Sequence, residues 1–187
     1  MHTKNLEVIK LKDENNFDNT VRLEIEAKSE NTSLARVVVS AFLTAYDATV
    51  GEITDVKTAV SEAITNSMIH GYDKKICEAN FSQPVVNTET LVSAENCDSS
   101  FLPHEKSGLV SMTLKEKDRE IFIEISDLGV GIENIKGAME PLFTTKPDEE
   151  RSGLGFTVME SFMDSVEVFS KKGEGTVVKM QKKLGGV

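Results

Sequence analysis

Apolar and polar residues alternate with period two over positions 20 to 28, Thr-Val-Arg-Leu-Glu-Ile-Glu-Ala-Lys, the signature of a strand with one face buried. Asn31 to Ser33 then supply polar caps for a helix through about Tyr46. From 52 to 70 the period changes. Ile53, Val56, Val60, Ala63, Ile64 and Ser67 recur at three- and four-residue steps, which predicts an amphipathic helix with one core-facing stripe. Gly71 is its expected stop. Alternation returns in Leu109 to Lys115 and Glu120 to Ser126, a hairpin across a charged turn. A helix near 155–164 and a second hairpin turning over Lys171 to Gly175 complete the pattern. The order β-α-α-β-β-lid-α-β-β predicts a two-layer α/β sandwich, a mixed β-sheet covered on one face by helices. No internal repeat is visible.

Two glycine clusters stand out from this framework. Asp127-Leu128-Gly129-Val130-Gly131 places an acid beside two spaced glycines, and Ser152-Gly153-Leu154-Gly155-Phe156 places a second pair at the start of a helix. A carboxylate can accept a hydrogen bond from an adenine amino group, and glycine lets backbone approach a ligand closely. N–H groups at a helix N-terminus attract phosphate. Either cluster alone is ordinary turn chemistry; together they point to ATP. On the 52–70 helix, Glu62 and Asn66 are four apart and share a face away from the apolar stripe. An amide oxygen suits Mg²⁺, which takes hard oxygen ligands from one or two protein groups plus phosphates. A carboxylate one turn earlier can accept a proton from an attacking hydroxyl. On an arbitrary helix both would be solvated surface residues, and only the downstream glycines change that reading. His70 near the helix end receives no chemical role, since a favourable dipole interaction accounts for it.

These motifs resemble those of the GHKL ATPases. Glu62-Ala-Ile-Thr-Asn66 looks like their N-box, Asp127-x-Gly129-x-Gly131 like the first glycine box and Gly153-x-Gly155 like the second. Longer runs are similar to the anti-sigma F factors of spore-forming bacteria: Val60 to Tyr72, Glu140 to Pro147, and Glu150 to Asp164. That resemblance spans residues of about 20 to 182. It implies a homodimeric, Mg-ATP-dependent protein-serine kinase that sequesters a sporulation sigma factor and phosphorylates a serine of an anti-anti-sigma partner. Residue by residue it implies Glu62 as catalytic base and Asn66 as magnesium ligand. Asp127 would read adenine, with Gly129 and Gly131 shaping the base pocket and Thr176 near its end. Thr144, Thr145 and Lys146 would begin a lid, and Ser152, Gly153, Leu154, Gly155 and Phe156 would cradle the phosphates. Arg36 would contact both protein partners, and Glu150 and Arg151 would lie near the phosphates and the docked partner.

The chain departs from the resemblance in two places. Residues 1–19 precede its usual start and read as a polar N-terminal extension. Residues of about 75–107, rich in Asn, Ser and Glu with no clear period, read as a surface insertion within a kinase domain spanning 20–187.

Composition narrows the function class. With 187 residues, 39% hydrophobic and 28% charged, the chain suits a single globular domain. A net charge of −10 argues against a broad nucleic-acid surface, which needs clustered Lys and Arg. It also weighs against the DNA-processing branches of the superfamily. An acidic surface suits a basic protein partner. The apolar runs are too short to span a bilayer and the start lacks a signal peptide's apolar stretch, so the expectation is a cytoplasmic protein with no membrane partner. Cys77 and Cys97 form no CxxC or Cys/His cluster and read as free thiols. Three alternatives stay open: a nucleotide-gated anti-sigma binding module without transfer chemistry, the related kinase of a general stress sigma factor, and a catalytic fragment of a sensor histidine kinase. The pair Glu62 and Asn66 speaks against the first, the run Pro141 to Pro147 against the second, and the positions of His2, His70 and His104 against the third.

Overall fold

In the computed structural model, residues 17–72, 108–140 and 153–185 are described. Their elements are β1 (Asn19–Glu26), α1 (Asn31–Thr44), α2 (Val50–Asn66) running into a π-helical turn (Ser67–Gly71), β2 (Leu109–Lys117), β3 (Glu120–Asp127), a short α3 (Ile135–Met139), α4 (Gly155–Phe162), β4 (Ser165–Lys171) and β5 (Gly175–Lys183). The five strands form one sheet in the order β1-β2-β3-β5-β4. Every neighbouring pair is antiparallel, which narrows the mixed sheet expected from sequence. The expected two-layer sandwich stands, and the described strands and helices follow the expected order with α3 and the π turn added among them; the expected lid lies outside the described residues.

Alternation on the central strand explains the core. Ile121, Ile123 and Ile125 of β3 all turn inward and are buried. Ile123 lies between Leu114 and Met180, and Ile125 between Met112 and Val178. The helical layer covers this row with Val56, Ala59, Val60, Ala63 and Ile64 of α2, Val39 and Leu43 of α1, and Met159 of α4. Burying each larger side chain is worth about 1.5–3 kcal/mol, so the layers hold together chiefly through this seam. The next inward position after Ile125 is Asp127, a carboxylate where the alternation calls for an apolar group. That exception marks the site.

Two helix boundaries differ from the sequence expectation. Asn31 to Ser33 do not cap α1. Glu30 is the N-cap and makes no side-chain cap bond, while Asn31 Nδ2 donates back to the Glu26 carbonyl at 2.9 Å. A short polar side chain after a strand can bond backward as readily as forward. Helix α2 begins earlier than residue 52, at Val50, because Thr49 and Glu52 close a capping box. It stops being α-helical after Asn66, four residues before the expected end, and Gly71 closes the wider π turn. The β2–β3 turn is a two-residue connection, with Asp118 at φ 52° and Arg119 at φ 62°, the left-handed pair a tight hairpin demands. Among the described residues no helix is long and apolar enough to cross a membrane. The insertion expected at 75–107 and most of the N-terminal extension lie outside the described residues.

Candidate nucleotide site

Asp127 ends β3 in register with Val110 on β2 and Thr176 on β5, and is 4% exposed. Burial pushes its carboxyl group above the ordinary range, against hydrogen bonds from the Ser67 hydroxyl and the Gly129 and Thr176 amides that favour the ionised form. The Gly129 N–H reaches Oδ1 at 3.0 Å. Glycine is required here for space. A Cβ on Gly71 would sit 3.2 Å from Asp127 Oδ1, and one on Gly129 would collide with the Gly71 carbonyl. That carbonyl accepts from the Val130 N–H at 3.0 Å, so the end of the π turn and the glycine loop are stitched together. Gly131, at φ 69°, leaves no room for a side chain beside the Lys171 carbonyl.

A hydroxyl pair supports the far side of this loop. Ser170 Oγ accepts from the Ile132 N–H at 2.7 Å and donates to the Gly175 carbonyl at 2.8 Å. With its one hydrogen so committed, the 2.9 Å contact to Thr176 Oγ1 makes Thr176 the donor. Thr176 thus adjoins Asp127 through its strand register and backbone and Ser170 through its hydroxyl.

The second half of the site lies along α2 and α4. Glu62 and Asn66 are half-buried one turn apart. A Cβ added to Gly155 would stand 3.1 Å from Asn66 Nδ2 and 3.2 Å from Glu62 Oε2. Gly155 is the first residue of α4, so the absence of a side chain lets a helix N-terminus come directly beneath the carboxylate and the carboxamide. Gly153 sits at φ 62°, the left-handed turn that glycine tolerates. Leu154 is the N-cap and provides no side-chain cap bond, so among the described residues no side chain caps the first turn of α4. Phe156 packs against the core and anchors the helix. Buried acceptor, glycine cradle and uncapped helix end match a ligand with a base at one end and phosphates at the other.

The structure thus brings together Glu62, Asn66, Gly155, Asp127, Gly129, Gly131 and Thr176 around the α2 end. Arg36 is exposed on α1 beside exposed Leu34 and Val37. Thr144, Thr145, Lys146, Glu150, Arg151 and Ser152 lie outside the described residues. Sequence reasoning missed Tyr72 and Ser170. It placed Ser67 in the apolar stripe without seeing its bond to Asp127; a lone hydroxyl in such a stripe was the available signal.

Fold and site together define a histidine kinase-like ATPase domain, whose family model matches residues 25–100 and 101–182. The chain is 47% identical over 168 residues to an anti-sigma F factor of Clostridium perfringens, covering 90% of this chain and 99% of that one. Against the anti-sigma F factor of Clostridium acetobutylicum it is 46% identical over 168 residues, covering 90% and 96%. It belongs to the anti-sigma F factor family. The solved structure of the RsbU and RsbW domains of a Mycobacterium tuberculosis protein superposes with a TM-score of 0.53 at 12% identity, covering 89% of this chain and 32% of that one; that likeness concerns the fold alone.

Proposed function

We propose that this chain binds Mg-ATP, phosphorylates a serine of an anti-anti-sigma partner, and sequesters a sporulation sigma factor. The observation that carries the reading is the approach of Gly155 to Glu62 and Asn66, which puts a candidate base, a candidate metal ligand and a helix N-terminus in one place. Asp127 accepts from the adenine amino group in a pocket shaped by Gly129, Gly131 and Thr176. The Asn66 amide oxygen would hold Mg²⁺. When bound, the ion neutralises phosphate charge as it builds in the transition state. Glu62 takes the proton of the partner's serine hydroxyl as that oxygen bonds to the γ-phosphorus and the bond to the ADP leaving group breaks. N–H groups at the start of α4 hold phosphate oxygens, with Ser152, Gly153, Leu154 and Phe156 forming the rest of the cradle.

Thr144, Thr145 and Lys146 are assigned to a lid over the phosphates. Arg36, exposed on α1 as Leu34 and Val37 also are, is assigned to partner contact, as are Glu150 and Arg151. The family names of its relatives support a sigma factor as one partner. The reading includes a cytoplasmic homodimer, with 1–19 as an extension and 75–107 as an insertion in one kinase domain.

The test is phosphate transfer. The protein is mixed with Mg²⁺, γ-labelled ATP and the anti-anti-sigma protein of the same organism. Label on a partner serine is the expected result. No label, from protein that binds ATP and captures the sigma factor, would leave a nucleotide-gated binding module and overturn the kinase assignment.

A further inference from the structure

The Tyr72 side chain lies where three otherwise separate pieces of chain meet. Its hydroxyl accepts from the Leu128 N–H at 2.8 Å and donates to the Leu109 carbonyl at 2.7 Å. Leu128 directly follows Asp127, and Leu109 opens β2. The ring rests on Gly108, where an added Cβ would stand 2.5 Å from Cγ. Gly71, one residue earlier, receives the Val130 N–H and packs against Gly129. One dipeptide therefore holds the loop after Asp127 at two points and ties it to the start of β2.

We infer that Tyr72 is a positioning residue for base recognition, fixing the depth and direction of the Asp127 carboxylate and so setting purine specificity. A phenol is suited to the task, since one oxygen can accept from one backbone segment and donate to another. Phenylalanine would keep the ring on Gly108 and lose both bonds. The Leu128 N–H would then be free to seek another acceptor, and the loop bearing Asp127 would lose a fixed point. The inference rests on the reading of Asp127 as the adenine acceptor.

The experiment measures binding of ATP and ITP in Mg²⁺ to the full chain and to its Asp127→Asn and Tyr72→Phe variants. ITP carries an oxygen where adenine carries its amino group. The wild type is expected to prefer ATP, and Asp127→Asn to lose that preference. Tyr72→Phe is expected to shrink it by about tenfold, the upper range for one net hydrogen bond, with ITP affinity nearly unchanged. Gly108→Ala keeps every hydrogen-bonding group but drives the ring from its seat; it should shrink the preference in the same direction and serves if Tyr72→Phe does not fold. Unaltered preference in Tyr72→Phe or, failing that, Gly108→Ala, beside its loss in Asp127→Asn, would overturn the role of Tyr72. Equal weakening of ATP and ITP would also overturn it, reducing Tyr72 to general support. Absence of a preference in the wild type, or its survival in Asp127→Asn, would instead remove the reading of Asp127, and this inference with it.

Discussion

Around Asp127 polar groups are held in place: the carboxylate by Ser67, Gly129 and Thr176, and the neighbouring loop by Gly71, Tyr72 and Ser170. Around Gly155, by contrast, the side chains of Glu62 and Asn66 make no hydrogen bond among the described residues, and the start of α4 has no side-chain cap. The proposed base end is therefore held by its own hydrogen bonds, which suits recognition of a fixed hydrogen-bonding edge. The proposed phosphate end presents a carboxylate, a carboxamide and a helix start with no side-chain cap among the described residues, and on this reading their final geometry is set by what binds. A general base is often loosely held until its complex forms. On the proposed assignment this is a division of labour within one site, with selection at one end and chemistry at the other.

Substitutions at the two ends should separate these tasks, beginning with the largest effect. Glu62→Gln is expected to slow phosphate transfer by about 10²–10⁴ with ATP affinity retained, checked by single-turnover transfer beside direct nucleotide binding. Gly175→Ala strikes the base end. This residue is at φ 92°, and a Cβ would collide with the Asp127 carbonyl, so a stability loss of about 3 kcal/mol or more is expected in denaturant unfolding.

Asp127→Asn should weaken ATP binding by about 10- to 100-fold, the range for a hydrogen bond to a charged group. It should also change the pH profile. Burial raises the folded carboxyl group above its unfolded value. Its stabilising contribution is therefore fully present below the unfolded value and is lost as pH rises through the folded one. Wild-type stability should fall relative to the asparagine variant over that rise. In the other direction, acidification should remove the ionised acceptor, so ATP affinity in the wild type should decline from a pH above the ordinary carboxylate range. Calorimetry across pH checks both trends.

The smallest effect is far from either end. Glu52 accepts from the Thr49 N–H at 2.7 Å and the Gly185 N–H at 2.6 Å, tying the start of α2 to the last described residue. The Thr49 backbone bond chiefly holds this carboxyl below its usual range, with Gly185, the Thr49 hydroxyl and Arg119 adding to it against desolvation. Its contribution is present above the unfolded value and lost as pH falls through the depressed folded one. Glu52→Gln keeps an amide oxygen for the capping box, so it should cost only about 0.3–1 kcal/mol at neutral pH, a gap that closes on acidification in unfolding curves.

Much of this arrangement was legible in the sequence because it depends on local spacing. The i, i+4 step put Glu62 and Asn66 on one face, the alternation of β3 carried Asp127 to the end of an inward row, and the glycine pairs marked where backbone must come close. What was not legible depends on partners distant in the chain. Tyr72 finds its partners 37 and 56 residues away, and Ser170 reaches Ile132 across 38; neither separation follows from periodicity. The π turn after Asn66 is likewise accompanied by a tertiary bond, from the Val130 N–H to the Gly71 carbonyl. The Thr49 capping box is a different case. Its signature Thr-x-x-Glu is local, and the apolar stripe beginning at Ile53 drew the boundary two residues late.

The most direct test of the division of labour is the ATP dissociation constant in Mg²⁺ for the wild type, Glu62→Gln and Asp127→Asn, measured on the same preparations by calorimetry. The account expects Glu62→Gln to match the wild type while Asp127→Asn binds about 10- to 100-fold more weakly. Equal weakening in the two variants would contradict it, since the carboxylate at the phosphate end would then be holding the ligand rather than acting on it.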